Sequence, residues 1–115
     1  MNRKILIVFF LLLLVNAGLI IAEFNEDNDL TIVQLSKNVI VLKAKEGQSP
    51  NNVIAISTKK GIVVIDTQIS YSIALRTRKA IEDRFSRKYF VYVINTHNDI
   101  DHTGGNQVYS DVEKT

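Results

Sequence analysis

The hydrophobic residues between positions 31 and 95 fall into short runs separated by polar residues, and this pattern predicts strands. β-Branched residues dominate the runs, as expected of a pleated and half-buried surface. The predicted strands are residues 31–35, 39–44, 53–58, 62–66 and 90–95. Short polar breaks join the first four strands in pairs, which predicts two hairpins. Because the fourth run is continuously apolar, we expect both of its faces to be covered.

Residues 70–85 have the periodicity of a helix instead. Their apolar and small side chains recur at spacings of three or four, at Ile73, Thr77, Ala80, Ile81 and Phe85. Ser70 or Ser72 can cap the N-terminus. The opposite face mixes basic and acidic residues, which predicts a solvated face instead of a binding site. A strand, a helix and a strand in succession predict a parallel pair with a right-handed crossover, and hence an α/β (α+β) fold of hairpins followed by a β-α-β unit.

Residues 1–22 have the composition of an export signal. Arg3 and Lys4 precede an unbroken apolar run, and small residues follow it. This order is typical of a signal peptide, with cleavage after Ala17 or Ala22.

An uncleaved membrane anchor is the alternative, because residues 5–22 approach the minimum length of a spanning helix. In both cases we expect the rest of the chain to be exported, either periplasmic or secreted, with membrane contact only through this segment. Residues 23–30 are acidic and polar, which predicts a solvated linker. The predicted domain is then residues 31–115.

Composition limits the chemistry that is available. The chain of 115 residues is long enough for one domain and contains no cysteine, which excludes disulfides, thiol nucleophiles and thiolate metal sites. Its formal net charge of +2 is carried by the two cations of the N-terminal segment. The neutral remainder indicates no nucleic-acid partner.

The polar loop after the last predicted strand holds both histidines of the chain. His97, Asp99 and Asp101 occupy alternate positions and His102 is adjacent, so in an extended turn their side chains can converge on an ion. Histidine nitrogen and aspartate oxygen together suit zinc, iron or manganese. The same residue types are also common in ordinary turns.

Two features border this loop. Asp66 ends the fourth predicted strand, where its carboxylate can cap the following turn or orient metal ligands from behind. Gly104 and Gly105 follow the second histidine, and we expect them to let the backbone turn tightly beneath the site.

Three segments resemble the N-terminal part of the metallo-β-lactamase superfamily. Residues 61–67 read Gly-Ile-Val-Val-Ile-Asp-Thr, residues 93–97 read Val-Ile-Asn-Thr-His, and residues 101–106 read Asp-His-Thr-Gly-Gly-Asn. The resemblance implies the N-terminal half of an αββα sandwich with a two-metal site, usually of zinc, at the sheet edge. It also implies a hydrolase in which metal-activated water attacks an ester, thioester or lactam carbonyl of a small molecule.

The family pattern, His-x-His-x-Asp-His, assigns roles residue by residue. By this resemblance His97 would bind the first metal, and Asp101 and His102 the second, while Asp101 would also orient the attacking water. Asp66 matches the aspartate that supports the site. Asp99 departs from the pattern, because the family has histidine there. An anionic oxygen at this position favours harder ions such as iron or manganese, and the iron-binding flavodiiron branch resembles this arrangement.

The resemblance also implies three further ligands from the C-terminal half of the family, whereas no histidine follows His102. We therefore expect a fragment or truncated form that is inactive by itself. The alternative is a non-catalytic exported domain with weak or no metal binding. The predicted strands leave one apolar face of the sheet uncovered, so self-association over that face is also expected.

Overall fold

The structure, a computed structural model, describes residues 30–112. The elements are β1 (Leu30–Ser36), β2 (Val39–Ala44), β3 (Asn52–Ser57), β4 (Ile62–Ile65), α1 (Tyr71–Phe85), β5 (Phe90–Ile94), α2 (Ile100–Thr103) and a 3-10 helix (Asn106–Tyr109). The predicted signal or anchor lies outside the described residues, as does the predicted linker except Leu30, which begins β1. Within residues 30–112, no helix has the length and apolarity needed to cross a membrane.

The five strands form one sheet in the order β1-β2-β3-β4-β5. Neighbours among the first four are antiparallel, which confirms both predicted hairpins. β4 and β5 pair in parallel and are connected in the chain by helix α1, as the β-α-β prediction requires. In this pairing Ile65 lies opposite Ile94, so the chain leaves both strands side by side at one edge of the sheet.

Helix α1 covers one face of the sheet and confirms the predicted helix. The hydroxyl of Ser70 caps it by accepting the amide N–H of Ile73 at 3.4 Å. Thr77 is fully buried and donates its hydroxyl to the Ile73 carbonyl at 2.9 Å, so its polar atom is satisfied within the helix. The sheet residues buried in the core include Ile40, Leu42, Val53, Ala55, Ile62 and Val64.

The other face of the sheet is apolar but only partly covered. Ile62 and Val64 are buried, whereas Val63 and Ile65 are half-buried. The prediction that both faces of this strand are covered is therefore wrong for the described residues, because α1 packs against one side only. Ile94 ends β5 on the less covered face and is 49% exposed.

Arg78 corrects the prediction that the charged face of the helix is simply solvated. Its guanidinium donates to Asp111 Oδ2 at 2.7 Å and to the carbonyl of Val108 at 2.7 Å. The same group lies 4.7 Å from the ring centroid of Phe90 and 5.5 Å from that of Tyr109. Arg78 therefore joins the helix to the segment that follows the predicted metal-binding loop, through charge, hydrogen bonds and cation–π contacts.

The two adjacent glycines meet a different need from the one predicted. Gly104 and Gly105 have φ values of −60° and −99°, which any residue can adopt. A Cβ atom on Gly105 would, however, lie 2.1 Å from the Thr67 carbonyl oxygen and 2.2 Å from the Cβ of Ala74. One on Gly104 would lie 2.2 Å from the carbonyl oxygen of Ile69. The glycines thus let the loop after β5 pack backbone against backbone on the loop after β4.

This close packing gives a prediction about Gly105→Ala. The added methyl group has to displace backbone, so we expect the free energy of unfolding to fall by about 3 kcal/mol, at the upper end of the usual cost of overpacking. Gly47→Ala is the matched control, since Gly47 has a φ of +84° but a Cβ atom added there would have no neighbour within 4 Å. That variant should lose only about 1 kcal/mol, from backbone strain. Urea unfolding measures both values, and equal losses would contradict the packing argument.

Candidate metal centre

The predicted metal-binding loop is partly helical. The Thr103 amide donates to the carbonyl of Asp99 at 3.1 Å, and the Gly104 amide donates to that of Ile100 at 2.7 Å. The prediction of an extended turn is therefore wrong for residues 100–103, because these local hydrogen bonds close one turn of helix. Asp101 and His102 consequently project from adjacent positions of a helical turn.

Three of the predicted ligands lie together in this arrangement. His97, Asp101 and His102 each offer a ligand atom within 4.8 Å of the others. Nε2 of His102 is 3.5 Å from Asp101 Oδ2, and the two imidazole rings lie with their centroids 3.7 Å apart. Two nitrogens and one carboxylate oxygen form a donor set that suits zinc or another divalent transition metal. The residues present therefore fit a metal ion.

Asp99 lies beside this group and outside it. Its Oδ2 is 3.3 Å from Nε2 of His97, and its side chain is 70% exposed. Asp99 is the N-cap residue of α2, but its side chain makes no capping hydrogen bond. The structure thus places the fourth predicted ligand within reach of one imidazole but outside the group of three.

Asp66 supports the group from behind. The carboxylate accepts the amide N–H of Thr96 at 2.8 Å, and its other oxygen is 2.8 Å from Nδ1 of His102. The Thr96 hydroxyl donates to the same oxygen at 2.8 Å. A carboxylate facing Nδ1 favours the tautomer with the proton on Nδ1, which leaves a lone pair on Nε2 for a metal.

The environment of Asp66 keeps its carboxylate charged. Burial raises the pKa of Asp66, but the Thr96 amide, His102 and the Thr96 hydroxyl together hold the pKa below its ordinary value of 3.8. The carboxylate is therefore anionic at neutral pH. It can accept a hydrogen bond from Nδ1–H of His102 without becoming protonated itself.

Sequence reasoning assigned no role to four polar residues around this site. Thr67 is fully buried and donates its amide to the His102 carbonyl at 2.9 Å. Thr96 contacts Asp66 as described, and Asn95 and Asn106 pair with each other through their side chains. All four lie within the three segments that resemble the family, residues 61–67, 93–97 and 101–106, and that placement is the only signal the sequence carries for them.

Comparison with known proteins identifies the family. The sequence profile of the Metallo-beta-lactamase superfamily matches residues 47–114. Among solved structures, a metallo-beta-lactamase from Pontibacter korlensis is similar at 26% sequence identity and a TM-score of 0.59. The similarity covers 71% of this chain and 40% of that protein, so the chain spans less than half the length of this relative. No curated protein matches the sequence. The chain belongs to the metallo-beta-lactamase superfamily.

Proposed function

We propose that this chain supplies half of the metal centre of an exported metallo-hydrolase. The observation that carries the proposal is the convergence of His97, Asp101 and His102, with a charged carboxylate fixed behind His102. Buried carboxylates that hold the far nitrogen of a metal-binding histidine orient the ring and raise its basicity. A plain turn has no need of such a support.

Each of the three side chains would have its own role in binding the metal. His97 and His102 would contribute neutral nitrogens and Asp101 an anionic oxygen to a zinc ion, or to two ions in a complete site. Such an ion, when bound, supplies Lewis acidity and lowers the pKa of water towards 7. Asp101 would orient that water through its carboxylate, and Asp66 would keep His102 in the binding tautomer.

The substrate class follows from the family and from the named relative. We propose a small molecule with an ester, thioester or lactam carbonyl, since activated water attacks such carbon atoms. Residues 1–22 would direct the chain to the periplasm or outside the cell, or would anchor it. The remaining ligands of a complete site would come from beyond the described residues.

A second candidate is a non-catalytic exported domain that binds metal weakly. The observation in its favour is that only three donors converge among residues 30–112, while Asp99 stays exposed beside them. Three donors can hold one zinc ion but are too few for a pair.

Metal binding by the 115-residue chain is the direct test. We expect zinc titration to show one site that is lost in the His97→Ala/His102→Ala variant, because both nitrogens belong to the cluster. The Lys79→Ala variant, which changes an exposed ion pair on α1, should bind zinc as the unmodified chain does. Absence of zinc binding by the unmodified chain would contradict the proposal. Absence of hydrolysis by this chain is expected of both candidates, because the chain would supply half of the centre, whereas zinc binding that is only weak would support the second candidate.

The role of Asp99 gives a separate prediction. Replacing its carboxylate with an imidazole restores the family pattern and adds a neutral nitrogen beside His97. We therefore expect Asp99→His to raise zinc affinity about tenfold, the effect of roughly 1.4 kcal/mol. Competition with a chromophoric chelator measures the change. An unchanged affinity would show that this side chain does not reach the ion.

A further inference from the structure

The main-chain carbonyl of His102 is held more firmly than its place in a surface loop requires. It accepts the Thr67 amide at 2.9 Å and an amide hydrogen of the Asn95 side chain at 3.0 Å. The Thr67 hydroxyl lies 3.1 Å from the same oxygen. A carbonyl oxygen has two lone pairs, so the Thr67 amide and the Asn95 side chain already use its full capacity to accept hydrogen bonds.

Asn95 and Asn106 form a reciprocal pair of side-chain amides beside this carbonyl. Nδ2 of Asn106 donates to Oδ1 of Asn95 at 2.8 Å, and Nδ2 of Asn95 donates to Oδ1 of Asn106 at 3.1 Å. The partners fix both orientations, because the His102 carbonyl can only accept and therefore requires the NH2 group of Asn95. The Thr67 hydroxyl also lies 2.8 Å from Oδ1 of Asn106.

The position of this pair in the chain matters more than its energy. Asn95 follows β5 directly and Asn106 begins the 3-10 helix, so the two residues bracket the segment that carries all four predicted ligands. Their amides therefore close the base of that loop. At the opposite end of His102, the ring is tied to Asp66 through Nδ1 at 2.8 Å. His102 is thus fixed at both its carbonyl and its imidazole.

We propose that Asn95 and Asn106 are positioning residues of the metal centre, acting as an amide clamp that presets His102 before an ion binds. This inference rests on the proposed function. In the absence of the clamp, the loop has to lose conformational freedom when metal binds, and that cost lowers the affinity. Because the two amides work as one unit, removal of either should have nearly the effect of removing both.

A double-mutant cycle on zinc affinity tests the clamp. Asn95→Ala and Asn106→Ala should each weaken zinc binding by the 115-residue chain about three- to tenfold, the effect of losing one or two hydrogen bonds. The zinc affinity of the double variant should be only slightly lower than that of the single variant that binds zinc less tightly. Asn98→Ala is the matched control, because Asn98 is an exposed asparagine of the same loop, and it should leave the affinity unchanged. Visible absorption of bound Co²⁺ should change in the clamp variants and stay constant in the control.

The possible outcomes distinguish failure of the clamp proposal from failure of the proposed function. If the unmodified chain binds zinc and the clamp variants match Asn98→Ala, the clamp is overturned while the proposed function stands. Additive losses also overturn it, since independent residues would produce them. If the unmodified chain binds no zinc, both proposals fail. Asn106→Leu covers the case in which Asn106→Ala unfolds, because it keeps the volume of the side chain and adds no charge near the candidate site, while it removes both hydrogen bonds with Asn95. It should weaken zinc binding as Asn106→Ala is expected to, and an unchanged affinity would overturn the clamp.

Discussion

The hydrogen bond between the Asp66 carboxylate and Nδ1 of His102, 2.8 Å long, is the interaction on which the candidate site depends. It joins the end of β4 to the helical turn after β5, two segments that are far apart in sequence. Burial acts against the charged carboxylate, and the amide and hydroxyl of Thr96 offset that penalty. The result is an anion that can hold the proton of one imidazole nitrogen and leave the other nitrogen free for a metal.

The fold brings these groups together through the register of two strands. Parallel pairing sets Ile65 beside Ile94, and the amide of Asp66 donates to the Ile94 carbonyl at 2.8 Å. The residues that follow each strand must therefore meet at the same sheet edge, where ligand sites of α/β sheets are usually found. Gly105 then lets the second loop approach the carbonyl of Thr67. The site is thus a consequence of strand pairing and of close backbone contact.

Much of this could be predicted from the sequence, because the signals are local. The strand runs, both hairpins and the helix capped by Ser70 follow from periodicity and turn chemistry. The helical turn of residues 100–103 was missed, because a four-residue segment of turn-forming residues has no periodicity to detect. The ligand types and the supporting Asp66 could be named, but the two asparagines could not, since Asn95 and Asn106 are residue types common in any polar turn.

Features that depend on partners far away in the sequence also could not be predicted from local patterns. Arg78 looked like part of a solvated face because Asp111, which binds it, lies 33 positions away. The coverage of β4 was predicted wrongly for a similar reason. A continuous apolar run indicates that a strand can be buried on both faces, but the run itself does not show which elements pack on those faces.

The protonation pattern of His102 tests the central interaction most directly. Long-range ¹H–¹⁵N correlation spectra of the metal-free chain, recorded at alkaline pH, report which ring nitrogen carries the proton, and His97→Ala leaves a single imidazole to observe. We predict a proton on Nδ1 and a bare Nε2, with the pattern lost in Asp66→Asn. A proton on Nε2 in the presence of Asp66 would contradict the account.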